Sequence, residues 1–170
     1  MTFNVVDAAA FIAACNKNPL ILIDGFFGRF RWLSNFDVVA SILYEGRVYP
    51  SAENAYQAAK DLDDSVREKF MTVTPVQAKK LGGPKARGGI TTLRSDWETV
   101  KDRVMLDILR SKYKHPNLRD KLKATGSATL VEGNWWHDNY WGDCRCGRPA
   151  CSTPGVNKLG TLTMKVRGEL

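Results

Sequence analysis

The punctuation of this chain constrains its fold more than any single motif does. Helix-start and helix-stop signals follow one another at short intervals. Ser51 comes directly after Pro50 and is a good N-cap for SAENAYQAAK (51–60). Thr74-Pro75 places proline at a first helical position, and Ser95-x-x-Glu98 reads as a capping box. Stops fall at Gly82-Gly83, His115-Pro116 and Gly126. Asp7 can cap an opening helix with Phe11, Ile12 and Cys15 inward, and Asp64 or Ser65 starts a short helix through Met71. The longest helix turns Trp97, Val100, Val104, Met105, Ile108 and Leu109 inward. Leu118 and Leu122 mark another, and LGTLTMKVRGEL closes the chain as a last helix. The β signals are brief: LILIDGFFG (20–28), ATLVEG (128–133), and a hairpin over 40–50 turning at Glu45-Gly46. The pattern predicts a mainly α, multihelical single domain over 1–170 with small strand and hairpin elements. RWLSNF (31–36) reads as a loop with two exposed aromatics, KKLGGPKARGG (79–89) as a mobile basic loop, and 134–158 as an ordered loop.

Composition narrows the partners. Lys plus Arg is 25 against 18 Asp plus Glu, a net charge of +7, which favours phosphate-bearing ligands. No apolar run approaches the ~20 residues of a membrane helix. The first residues lack a basic n-region, so a cytoplasmic protein is expected, with its four cysteines as thiols or metal ligands. No glycine fingerprint or P-loop is present, and no cofactor is implied.

The helix at 51–60 carries Glu53, Gln57 and Lys60 at i, i+4 and i+7, beside an apolar stripe of Ala52, Ala55, Ala59 and Leu62. Spacing alone favours a solvated flank with weak pairing. The sharper reading is a wall of a binding site. Glu53 is then an acid or an anchor for ligand hydroxyls, and Lys60 a nucleophile or a phosphate contact.

Six segments occur together in order: LSNF (33–36), E-x-x-Y-Q-A-x-K (53–60), A-K-K-L-G (78–82), Asp96-Trp97 with Arg103 and Met105, D-x-x-W-G (138–142) and G-x-N-x-L-G-x-L-x-M-x-x-R (155–167). The set resembles the NADAR, or YbiA-like, family over roughly residues 25–168. The resemblance implies a mainly helical fold and an N-glycosidase that cleaves between ribose C1 and a base nitrogen. Some members look like hydrolases of ribosylated riboflavin-route intermediates, and others remove ADP-ribose from guanine in DNA. It implies Lys60 as nucleophile forming a Schiff base, with Glu53 and Asp138 as the carboxylates. Asn35, Tyr56, Gln57, Trp97, Arg103, Trp141, Gly142 and Asn157 follow as substrate-binding or loop-shaping residues, with Asn157 capping the last helix. The implied partner is a phosphorylated ribosyl-base or an ADP-ribosyl substrate, with DNA among the candidates and no membrane. The basic balance favours the ADP-ribosylated base. A binding module that holds ADP-ribose without cleaving it is the contrasting class, and plain nucleic-acid binding through 79–89 a third.

Two features depart from the family pattern. Gly83 stands where relatives often place a basic residue; Lys85 and Arg87 follow two and four residues later, and Arg87 is the candidate for a displaced phosphate contact. DCRCGRPAC (143–151) is inserted after Trp-Gly. Cys144, Cys146, Cys151 and His137 can supply four zinc ligands, but C-x-C-x4-C is not the usual spacing. Buried thiols in a tight loop are the favoured reading, with no metal called and no catalytic cysteine.

Overall fold

The computed structural model describes residues 8–17, 21–85 and 88–170. Asp7, Leu20 and Arg87 lie outside the described residues. The chain forms two compact units, one of residues up to Ser34 together with Tyr113–Leu170, the other of Asn35–Lys112. Among the described residues no helix is long and apolar enough to cross a membrane.

The Asn35–Lys112 unit begins with a hairpin of β2 (Val38–Tyr44) and β3 (Arg47–Ser51), preceded in chain order by β1 (Leu22–Asp24) of the other unit. Glu45 and Gly46 both adopt positive φ, as a tight hairpin turn of this twist requires. Ser51 ends β3 and caps α2 (Ala52–Ala58), its hydroxyl accepting from the Asn54 amide at 3.1 Å. Then come α3 (Asp64–Glu68), α4 (Pro75–Leu81) and α5 (Trp97–Lys112). Thr74 and Gln77 close the capping box of α4. The helix α2 is the hub: it packs against β3, α3, α4 and α5, and every one of its residues is buried. Alanines at 52, 55, 58 and 59 allow neighbours to approach this closely. Asn54 anchors α2 by donating to the carbonyls of Phe70 and Val73, both at 2.8 Å.

The other unit holds α1 (Ala8–Lys17), β1 (Leu22–Asp24), a 3-10 turn (Gly28–Leu33), α6 (Pro116–Ala124), β4 (Thr129–Val131), β5 (Gly133–Asn134), β6 (Asp143–Cys144) and α7 (Lys158–Gly168). β1 pairs with β4 and β5 with β6, both parallel. Phe11 and Trp32 meet edge-on at 5.6 Å, with Ile23, Leu122, Leu130, Leu159 and Val166 also in this unit's core.

Several local expectations change. The helix at 51 stops at its C-cap Ala59, so Leu62 lies beyond it and is 63% exposed instead of joining the apolar stripe. Trp32 is buried, because the 3-10 turn points it into the core. Asp63, not Asp64 or Ser65, caps α3, accepting from the Ser65 amide at 2.8 Å. The carbonyl of Asp96 opens α5, while Arg94 grips its carboxylate at 2.6 and 2.9 Å, so the helix starts one residue later than a Ser95 cap would set it. Residues 79–81 are helical, and the described part of the following loop folds on itself. Ile90 N donates to Leu81 O and Gly89 N to Pro84 O, with Gly89 lying so close to the Gly83 carbonyl that a Cβ has no room.

Candidate functional site

The stripe on α2 is not solvated. Glu53 is 4% exposed and Gln57 1%, because α4 and α5 cover the flank that the helical pattern leaves open. Gln57 Nε2 donates to Glu53 Oε1 at 2.8 Å, an i,i+4 bond made in a dry setting. Lys60 sits just past the helix end and donates from Nζ to the carbonyl of Gly82 at 3.1 Å, with its amine 5.8 Å from the centre of the Tyr56 ring. Burial first and the Lys79 cation second bring the Lys60 amine down from its usual 10.5 to about 8, against the opposing Glu53 carboxylate. Lys79 reaches Glu53 Oε1 at 3.7 Å.

Tyr56 and Trp97 are both buried and pack on each other, rings 5.1 Å apart and tilted 55°. Asn35 is buried in the same unit. Its carbonyl accepts from the Glu53 amide at 2.9 Å, and its Nδ2 touches Met105 Sδ at 3.5 Å. Asn35 Oδ1 and Gln57 Oε1 are buried acceptors without a hydrogen-bond partner. Each leaves a desolvation cost of ~1–3 kcal/mol that a ligand donor can remove. Gly82 must be glycine, since a Cβ there runs into the Gln57 side chain. Arg103 does not join this group: its side chain is 86% exposed and pairs with Asp107 at 3.7 Å along α5.

Lys79 and the Gly82 carbonyl are site elements that sequence reasoning missed. The A-K-K-L-G motif contained both. Nothing in its spacing, however, shows that α4 brings them to the end of α2.

The remaining candidates lie on the 134–158 loop of the other unit. Asp138 Oδ1 accepts from the amides of Tyr140 (3.2 Å) and Trp141 (2.8 Å), so one carboxylate oxygen is used to shape its own turn. Trp141 is half-buried, edge-on to Tyr140 at 5.1 Å. Gly142 is buried against the Glu132 carbonyl and the Asn134 amide, leaving no space for a Cβ. Asn157 stands at the start of α7 with φ 52°, but its side chain does not cap that helix. It reaches back to β4 instead, accepting from Glu132 N at 3.0 Å and donating to Leu130 O at 2.8 Å. The two-sided amide pins the loop's exit to the strand, which a cap bond cannot do.

The inserted thiols are not uniformly buried. Cys144 is, whereas Cys146 and Cys151 are half-buried and face His137 Nδ1 at 3.2 and 3.5 Å. Ligand atoms of all four residues lie within 4.8 Å of one another.

Comparison with known proteins fits this arrangement. The N-glycosidase YbiA of Escherichia coli K12 is 38% identical over 131 residues, 76% of this chain and 75% of the relative. The NMR structure of E. coli YbiA superposes with a TM-score of 0.73 at 35% identity, covering 88% of this chain and 84% of that one. The chloroplastic riboflavin biosynthesis protein PYRR of Zea mays is 32% identical over 72% of this chain, which spans only 20% of that longer protein. The NADAR domain model matches residues 24–170. With that match running through both units and all six motifs, the chain belongs to the NADAR family.

Proposed function

We propose that this chain, by family a hydrolase of N-glycosyl bonds, cleaves ribose C1 from the base nitrogen of an ADP-ribosylated nucleobase, with guanine in DNA as the favoured substrate and Lys60 as nucleophile. The observation that carries the reading is the Lys60 amine, lowered to about 8 beside the buried Glu53 carboxylate. About a tenth of such an amine is neutral at pH 7, roughly 300-fold more than at its ordinary value. The neutral Nζ forms a bond to C1. The C1–nitrogen bond breaks with its electron pair on the base, which takes up a proton that the Glu53 carboxylate first accepts from the attacking Nζ and then passes on. The ribose ring then opens as the C1–O bond breaks, its ring oxygen takes up the remaining Nζ proton, and the imine forms. Water then adds to C1 and the C1–Nζ bond breaks, returning the amine and the free sugar. Asn35 Oδ1 and Gln57 Oε1 offer acceptors to ribose hydroxyls or base N–H groups. The net charge of +7 favours a substrate with more than one phosphate.

Similarity to the riboflavin biosynthesis protein PYRR supports a second substrate, a ribosylated pyrimidine intermediate with one phosphate. Incubating the protein in parallel with DNA carrying ADP-ribosylated guanine and with the ribosylaminouracil phosphate separates the two, read by mass spectrometry of the freed sugar. Borohydride should trap the imine as a secondary amine on Lys60 and yield no adduct in Lys60→Ala. Turnover retained in Lys60→Ala, with the protein folded, overturns the covalent route. Release from the small intermediate alone replaces the substrate and keeps the mechanism. Tight binding with no release from either returns the chain to a binding module.

A further inference from the structure

We infer that His137, Cys144, Cys146 and Cys151 form a structural zinc site. Four donor atoms of the types zinc prefers converge within 4.8 Å. Zinc–sulfur and zinc–nitrogen bonds of ~2.3 and ~2.0 Å in a tetrahedron require donor separations of about 3.5–3.8 Å. The Cys146 and Cys151 contacts to His137 Nδ1, 3.2 and 3.5 Å, already approach that spacing. The set is complete, so it resembles closed structural sites and leaves no open position for catalysis.

Three further observations favour metal over packed thiols. Cysteines that only fill space are among the most buried residues, yet Cys146 and Cys151 are half-buried and turn toward an imidazole. Their loop has little apolar burial to hold it: Arg145 and residues 147–150 are exposed. His137 has φ 69°, a sparsely populated backbone state for a non-glycine residue, and in it the ring nitrogen meets the two thiols. The sequence spacing that argued against zinc is bridged by the fold. The β5–β6 pair fixes Cys144, Gly147 at φ 75° turns the chain, and a 3-10 turn over Pro149–Cys151 returns the last thiol.

Zinc binds as three thiolates and a neutral imidazole, so uptake releases up to three protons and leaves a site charge of −1. Arg145 and Arg148 lie within the same insert. His137 and Cys144 bracket the D-x-x-W-G segment, so the metal holds both ends of the turn in which Asp138 binds the Tyr140 and Trp141 amides. The site stands independently of the substrate proposed above.

The test uses the untagged full chain, expressed with zinc and dialysed against a weak chelator. Elemental analysis should give about one zinc per chain. Cobalt substitution should produce the intense thiolate charge-transfer and d–d bands of a tetrahedral site. Losing second-layer partners of a metal costs 10–100-fold in affinity, so Cys146→Ser or Cys151→Ser, which each lose a ligand, should cost at least ~100-fold. Cys15→Ser, outside the cluster, should keep full zinc content. The Tyr140 and Trp141 amides should exchange hydrogen faster in the metal-free wild type, a readout that needs no variant to fold. Zinc well below one per chain after reconstitution overturns the inference. So do cobalt spectra without thiolate bands, equal zinc content in the Cys→Ser variants, or a disulfide among the three thiols under reducing handling.

Discussion

The α2 segment and the 134–158 loop carry the family's polar residues in opposite ways. In α2 the backbone satisfies itself, so Glu53, Asn54 and Gln57 can be buried by neighbours and spend their side chains on one another, on anchoring, or on a ligand. In the loop the main-chain bonds are mostly those of the short β5–β6 pair and of residues 156–159 reaching back to 139–142, and side chains satisfy many of the remaining amides. Asp138, Asn139, Asp143 and Asn157 all bind main-chain amides. The difference teaches that similar polar residues are available for chemistry on the helix and committed to architecture in the loop. A group on a rigid, buried element is held in place before substrate arrives, whereas a turn residue that leaves its post loosens the turn.

The sharpest way to break this contrast is a pair of isosteric changes. Glu53→Gln keeps the shape on α2 and should lower kcat by ~10²–10⁴-fold, the range of a lost acid–base group, with the melting temperature nearly unchanged. Asp138→Asn should act mainly on stability. If steady-state kinetics show the larger kcat loss for Asp138→Asn, the division of labour is reversed.

Next in size is the cost of holding Lys60 where it is. Its native value of about 8 lies below the ordinary 10.5, so the unfolded chain binds more protons between those two pH values. The penalty is therefore full below pH 8 and is relieved as pH rises from 8 to 10.5. Lys60→Met should be more stable than wild type by up to ~3 kcal/mol near pH 7, the limit set by that separation. The advantage should shrink toward pH 10.5, as read by denaturant titrations across the range. A pH-independent difference would mean that packing, not the buried amine, sets it.

Gly142→Ala tests the loop side. A Cβ driven against the Glu132 carbonyl should cost ~1–3 kcal/mol, because that backbone and the hydrogen-bonded Asn134 side-chain amide leave little to yield. Thermal unfolding should drop by roughly 2–10 °C for a chain of this length. An unchanged transition would show that the turn can drift without loss.

The smallest effect belongs to Lys79→Met. Removing that cation should raise the Lys60 amine above about 8 and leave less neutral nucleophile at pH 7. The acid limb of the rate profile should move to higher pH by less than ~1 unit, since Lys79 is largely exposed and screened. A shift to lower pH would contradict the electrostatic reading.

Much of the local structure was legible because its causes are local. The Ser51 cap, the Thr74–Gln77 box, the Glu45-Gly46 turn and the stop at Gly82 each depend on residues within one turn of each other. Where two local signals compete, the partner that a side chain finds decides between them. Arg94 takes the Asp96 carboxylate and α5 starts at Trp97, while Asn157 holds the cap position but gives its side chain to β4.

By itself the sequence determined a mainly helical NADAR chain and, through six ordered motifs, the positions where chemistry is expected. It also supplied the residue types, a lysine and a carboxylate on one helix flank and four soft ligands near one insert. Only the tertiary structure decided that the flank is buried, that Lys79 and the Gly82 carbonyl meet it, that Arg103 faces water, and that the four ligands converge. Periodicity counts faces of one element, but burial, the lowered amine and ligand convergence depend on which other elements arrive there, and those contacts are set by packing across distant parts of the chain.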